Sequence, residues 1–253
     1  MSASSRGRRA LEEVGSVAVL ASRSMKTLFT SRFEGREFVY QLEQLGVRSM
    51  AIASATAVFV GIVMTIQFGV FMEKYGAKEA LGRVIGISEA RELAPALTSL
   101  VVGSRIAAGM AAEIGSMAVT EQIDAIRALG ADPVRKLVVP RVVASVIIMP
   151  LIACIALVLG MTAAMVVGAT SYGLAPATFI SAALDAVTLE DYLSGLSKTP
   201  VFGFLVAVLG CHFGMTTRGG TEGVGSSTTR SVVVVSITVL VSDALLTQLF
   251  VAL

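Results

Sequence analysis

Four ionisable residues, Glu92, Arg105, Glu113 and Asp243, lie within or beside long uncharged runs. A charge near the middle of a bilayer costs roughly 2.5–3.5 kcal/mol on insertion scales, so such a side chain faces protein or water and can bind an ion, relay a proton or pin helices together. On a helix Arg105 and Glu113 stand about 12 Å apart along the axis and roughly 80° around it, sharing one flank without touching unaided. Two readings stay open for them: a packing helix with a buried ion pair, or part of a transport path. A second polar set, Glu121, Gln122, Asp124 and Arg127, sits in a polar island over residues 113–141. Its chemistry is docking from the water side, with a plain connector as the bland alternative. His212, Cys154 and Cys211 fall inside apolar runs, where they act as structural or small apolar side chains and make neither a metal site nor a disulfide. Residues 218–230, RGGTEGVGSSTTR, lack the Lys-Ser/Thr ending and the preceding strand of a nucleotide loop.

The elements that must position these residues are membrane spans. Of the 253 residues 55% are hydrophobic and only 15% charged, and the mean hydropathy is +0.80. The apolar runs are long enough to cross a bilayer, which excludes an ordinary soluble domain. The net charge of +2 gives no reason to expect nucleic acid. Five spans are expected, at about 49–72, 93–117, 142–170, 199–217 and 231–253. The second carries two ladders of small residues, Gly103, Ala107, Ala111, Gly115 and Ser104, Ala108, Ala112, Ser116, which let neighbouring helices approach closely. Pro150 predicts a kink in the third.

Residues 1–48 form a cytoplasmic part: a mobile tail over 1–9, then a basic amphipathic stretch with Val14, Val17, Met25, Leu28, Phe29 and Phe33 among Arg23, Lys26, Arg32 and Arg36. That composition suits a helix lying in the membrane interface. No secretory signal peptide is evident. Residues 73–92 read as a wet connection or short membrane-edge helix, and 171–198 as a polar connection with a short helix from Pro176.

Inside the polar island, Thr120 is placed to cap a helix over about 119–129, with Glu121 at the positive end of its dipole. Val119, Ile123, Ile126 and Leu129 make its apolar stripe. Gly130 suits the left-handed C-terminal position, and Asp132-Pro133 reads as the cap and first residue of the next helix. Segments 1–48, 118–141 and 218–230 hold eight, four and two Lys/Arg, whereas the opposite connections are balanced or acidic. The excess of basic residues places the N-terminus, the polar island and the 218–230 loop in the cytoplasm, and the C-terminus outside.

Residues 92–144, ELAPALTSLVVGSRIAAGMAAEIGSMAVTEQIDAIRALGADPVRKLVVPRVVA, resemble the signature region of the MlaE (YrbE) permeases. Residues 45–68, LGVRSMAIASATAVFVGIVMTIQF, and 217–233, TRGGTEGVGSSTTRSVV, are similar to the first-span and last-loop motifs of that family. The resemblance runs from about residue 40 onward. It implies an all-α integral membrane protein of the bacterial inner membrane: a permease domain over 49–253 with five transmembrane helices, an N-terminal interfacial helix, and a short cytoplasmic coupling helix between spans 2 and 3. It further implies a non-enzymatic subunit of an ABC transporter that moves phospholipids or related lipids. The partners would be a second permease copy (identical or paralogous), an ATPase subunit that binds the ATP and Mg, a periplasmic MCE-domain protein, and membrane lipids.

Glu121, Gln122, Asp124 and Arg127 would then touch the ATPase. Phe59, Met64, Phe68 and Phe71 on the first span, with Leu246 and Phe250 on the last, are the expected lining of a lipid cavity at the dimer interface. Arg105 and Glu113 would order the second span against its neighbours. The alternatives are an ion-coupled secondary transporter, with Glu113, Arg105 and Asp243 as its ion path, and a non-transporting membrane scaffold. Five spans without an internal repeat argue against the two-halved architecture common among secondary transporters.

Overall fold

The computed structural model describes residues 3–30 and 35–252, and the side chains of 11–28, 35–250 and 252. The described residues form helices and short connections, with no strand among them. A long N-terminal helix α1 (Ala3–Thr30) precedes α2 (Gly35–Leu45), which leads through a tight turn at Val47–Ser49 into α3 (Met50–Lys74). After a turn at Lys78–Ala80, α4 (Leu81–Ser88) continues through a π-helical stretch, Glu89–Leu97, into α5 (Thr98–Val119). The short α6 (Gln122–Ala128) follows, then π-helical Val134–Val138 and the long α7 (Val139–Tyr172). Helices α8 (Pro176–Ala186), α9 (Leu189–Met215) and α10 (Gly220–Ala252) complete the chain. Five stretches are long and apolar enough to cross a membrane: Gly35–Lys74, Lys78–Val119, Val134–Tyr172, Leu189–Met215 and Gly220–Phe250. This is a multi-pass membrane protein.

Several boundaries differ from the sequence reading, each for a physical reason. Helix α1 begins at Ala3, so the expected tail over 1–9 is helical where described. Residues 81–92 are helical and continuous with the second span, because Leu81 and Ile85 are buried against Tyr172 and Phe179 instead of facing water. The Gly/Ser/Thr segment after residue 218 is a helix from Gly220 onward. Thr120 does not cap α6: its hydroxyl bonds back to the Ser116 carbonyl at 2.8 Å and so finishes α5. Glu121 makes the corner instead, in the left-handed region at φ 60°, a conformation that costs an L-residue roughly 1–2 kcal/mol. Gly130 takes its left-handed position at φ 76°. Asp132 accepts from the Val134 amide at 3.1 Å, as its reading as a cap requires. Phe29, Arg32 and Phe33 fall outside the described side chains.

Close helix approach organises the bundle. On α3, Ala53, Ala57, Gly61, Thr65 and Gly69 are buried at every fourth position. They pack along α7, where Ala57 clusters with Ala156, Gly61 meets Gly160 and Gly69 meets Tyr172. A Cβ on Gly61 would collide with the Gly160 carbonyl oxygen, so only glycine permits this crossing. Across the bundle, Gly103, Ala107, Ala111 and Gly115 of α5 are buried, as their spacing predicts, while Ser104, Ala108 and Ala112 are partly covered and Ser116 is exposed. Gly210 and Gly214 of α9 seat α5 from the other side, and Ser104 bonds Ser236 of α10 at 2.9 Å. The main core gathers α5, α7 and α9 around Ile106, Ile152, Phe202 and Val206. By contrast α10 leaves Val233, Ile237, Val241 and Leu245 exposed, a face that in a membrane meets lipid or another subunit.

Candidate functional site

Two places in this bundle carry chemistry, one inside the spans and one at the end that holds α6. The first centres on Lys198, which sequence reasoning placed in a polar connection. It lies within α9, just before Pro200, and its side chain is only 2% exposed. Its Nζ donates to Glu92 Oε1 at 2.8 Å, Thr247 Oγ1 at 2.7 Å and Asp243 Oδ1 at 3.3 Å. Thr247 in turn donates to Glu92 Oε1 at 3.0 Å. Two of the four ionisable residues singled out in the spans are therefore neighbours, joined by a cation whose position at the edge of an apolar run concealed it. A buried charge survives when paired and hydrogen-bonded, and this cluster supplies both. Glu92 reaches it from the π-helical stretch 89–97, where Pro95 lacks an amide and the wider helical turn accommodates it.

Beside the cluster is a cavity of about 230 Å³, lined by Ile87, Ser88, Arg91, Ser194 and Phe250 together with Glu92, Lys198 and Thr247. Its lining combines charged and hydroxylated side chains with the apolar Ile87 and Phe250. Arg91 extends the polar side through an ion pair with Asp191 at 3.0 Å. Asp191 also completes a capping box with Thr188 at the start of α9. A further carboxylate, Glu89, is buried elsewhere, against Gly160 at the α3–α7 seam, and its Oε1 has no hydrogen-bond partner among the described residues.

The remaining two ionisable residues go elsewhere. Arg105 is exposed and donates to Ser49 Oγ at 2.8 Å, tying α5 to the start of α3. Glu113 pairs with Arg141 of α7 at 2.8 Å. The six candidate cavity residues do not line one cavity within a single chain. Met64 and Phe68 pack inward on the cluster around Leu81, and Leu246 packs on the main core. Phe59 and Phe71 are exposed, and Phe250 lines the Lys198 cavity.

At the other place, α6 projects from the end of the bundle. Ile123 is buried and Ile126 half-buried, anchoring one side of the helix. Leu129, expected to continue that stripe, is 86% exposed because the chain turns away at Gly130. Glu121, Gln122, Asp124 and Arg127 are exposed, with Arg127 paired to Asp124 at 2.8 Å. Helix α1 runs beside this end, joined by ion pairs from Arg23 to Asp132 at 3.1 Å and from Glu13 to Arg230 at 2.6 Å. The apolar side chains Val17, Leu20 and Ala21 of α1 pack on the main core. Among the described residues no group of three or more His, Cys, Asp or Glu side chains is arranged to hold a metal. Cys211 is buried in the core, and Cys154 lies 3.0 Å from the Tyr192 hydroxyl.

Residues 38–249 match the family described as Permease MlaE. The chain belongs to the MlaE permease family. It is 40% identical over 222 residues to a probable ABC transporter permease of Synechocystis sp., covering 88% of this chain and 84% of that protein. It is 34% identical over 235 residues to the chloroplastic protein TRIGALACTOSYLDIACYLGLYCEROL 1 of Arabidopsis thaliana, covering 93% and 67% respectively. A probable ABC transporter permease of Rickettsia conorii is 33% identical over 239 residues, covering 94% and 92%. As an MlaE-family permease the chain is a membrane subunit of an ABC transporter, itself no enzyme, and membership implies a partner ATPase.

Proposed function

We propose that this permease moves phospholipids or related lipids between the inner membrane and the outer envelope of a bacterium. The observation that carries this is the Lys198 cavity, which combines charged and hydroxylated side chains with apolar ones within the spanning region. That combination suits the polar head of a lipid, its greasy chains lying outside the cavity against the apolar spans. The chloroplast relative bears the name of a galactolipid, which favours the same class. Two copies, identical or paralogous, meet through exposed apolar faces that include Phe59 and Phe71 of α3 and Leu245 of α10. A periplasmic MCE-domain protein exchanges lipid with the pair.

ATP and Mg bind to the partner ATPase and not to this chain. Closure of two such ATPases pushes α6, with Glu121, Gln122, Asp124 and Arg127 as contact residues, and the spans follow. Nucleotide can shift that equilibrium only by binding one state of the complex better than the other. The end bearing α1 and α6 faces the cytoplasm, since it carries the basic excess. The test is reconstitution of the permease with its ATPase in vesicles holding a fluorescent phospholipid. Lipid leaving only with hydrolysable ATP is expected. Lipid movement driven by a proton or sodium gradient without ATP would overturn the proposal.

A further inference from the structure

Helices α5 and α7 are the two stalks on which α6 is carried, and each packs far more on α9 than on the other. Helix α5 packs chiefly on α9 and α10, whereas α7 packs chiefly on α3 and α9. A push on α6 therefore reaches two stalks joined mainly through α9, and a direct link near α6 would make them respond together.

The ion pair between Glu113 and Arg141 stands at that neck. Arg141 lies in the first turn of α7, and Glu113 about two turns before α5 ends. The Arg141 side chain is 2% exposed, and that of Glu113 is 50% exposed. One guanidinium nitrogen bonds Glu113 at 2.8 Å and another bonds the Leu137 carbonyl at 2.7 Å. The Nε finds no partner among the described residues. Leu137 belongs to the π-helical turn that follows the α6 segment, so one side chain grips both stalks and the wide turn between α6 and α7. The cation is fixed in protein while its carboxylate is half open to its surroundings.

We infer that the Arg141–Glu113 pair is the clasp that makes α5 and α7 answer a displacement of α6 as one body. Both are positioning residues, and breaking their contact lets ATP hydrolysis run without lipid movement. The inference rests on the reading that α6 receives work from an ATPase.

Removing one partner would leave a buried unpaired charge and endanger folding, so the test uses the double variant Glu113→Met/Arg141→Met in the complete complex with its ATPase. The readout is phospholipid moved per ATP hydrolysed in vesicles, with assembly and thermal unfolding followed alongside. The double variant is expected to assemble and hydrolyse ATP while the ratio falls at least about fivefold, the lower end of ordinary coupling between sites. An assembled double variant with the wild-type ratio overturns the clasp. So does loss of assembly, which would make the pair part of the architecture. A wild-type complex that hydrolyses ATP but moves no lipid would sink the transport reading itself, and it is recognised before any variant is made.

Discussion

Replacing Lys198 by Met keeps the length of the side chain and deletes its charge, so it isolates what the cation does within the spans. Its Nζ holds Glu92 and Asp243 together and donates to Thr247. Removing one member of a buried pair costs about 3–5 kcal/mol, because the partner is left uncompensated. Glu92 is 39% exposed and keeps the Thr247 hydrogen bond, while Asp243 is 18% exposed. The low end therefore applies, about 3 kcal/mol. For a chain of this size each 1 kcal/mol moves Tm by roughly 2–4 °C, giving a fall of roughly 6–12 °C. The assay is thermal unfolding of the purified protein in detergent, followed by helical circular dichroism. Adding Asp243→Asn should recover part of the loss, since the amide needs no counter-ion. The reasoning fails if Lys198→Met lowers Tm no more than Leu245→Ala, a change on the exposed face of α10.

Gly61→Ala should cost about 1–3 kcal/mol in the same melt, because its methyl group meets the Gly160 backbone. Gly109→Ala, whose new Cβ meets nothing within 4 Å, should instead stabilise α5 by up to about 1 kcal/mol. Glu121→Gly should relieve roughly 1 kcal/mol of left-handed strain at the α5–α6 corner, seen as a higher Tm of the permease alone. Charge reversal at both Glu121 and Asp124 should leave Tm unchanged yet abolish co-purification with the ATPase; an intact complex would remove α6 from the docking surface. A cysteine at position 129 should react with a maleimide far faster than one at 123, given their exposures. If the α6 end is cytoplasmic, that fast reaction should require permeabilised cells.

Sequence by itself determined the class of this protein and much of its local detail. Five long apolar runs fit a bilayer, where a helix satisfies its own backbone. The four-residue spacing of Gly103, Ala107, Ala111 and Gly115 predicts a buried face, and Gly130 and Asp132 take their expected backbone roles because those are set by immediate neighbours. The ionisable residues could be picked out one at a time, since their expense is visible in any apolar run.

Their partners were decided only by the tertiary structure. Glu92 meets Lys198, 106 positions away, and Glu113 meets Arg141 across the whole α6 segment. No periodicity encodes which helix stands beside which. Lys198 reads as part of a polar connection because hydropathy averages over a window, whereas burial depends on what packs around a single atom. The same limit left residues 73–92 open between a wet connection and a membrane-edge helix, whereas Leu81 and Ile85 of α4 are covered by residues from α7 and α8, and it misled the reading of Leu129, which the turn at Gly130 carries into the open. A chain states what each residue prefers; the crossing of helices decides which preferences are met together.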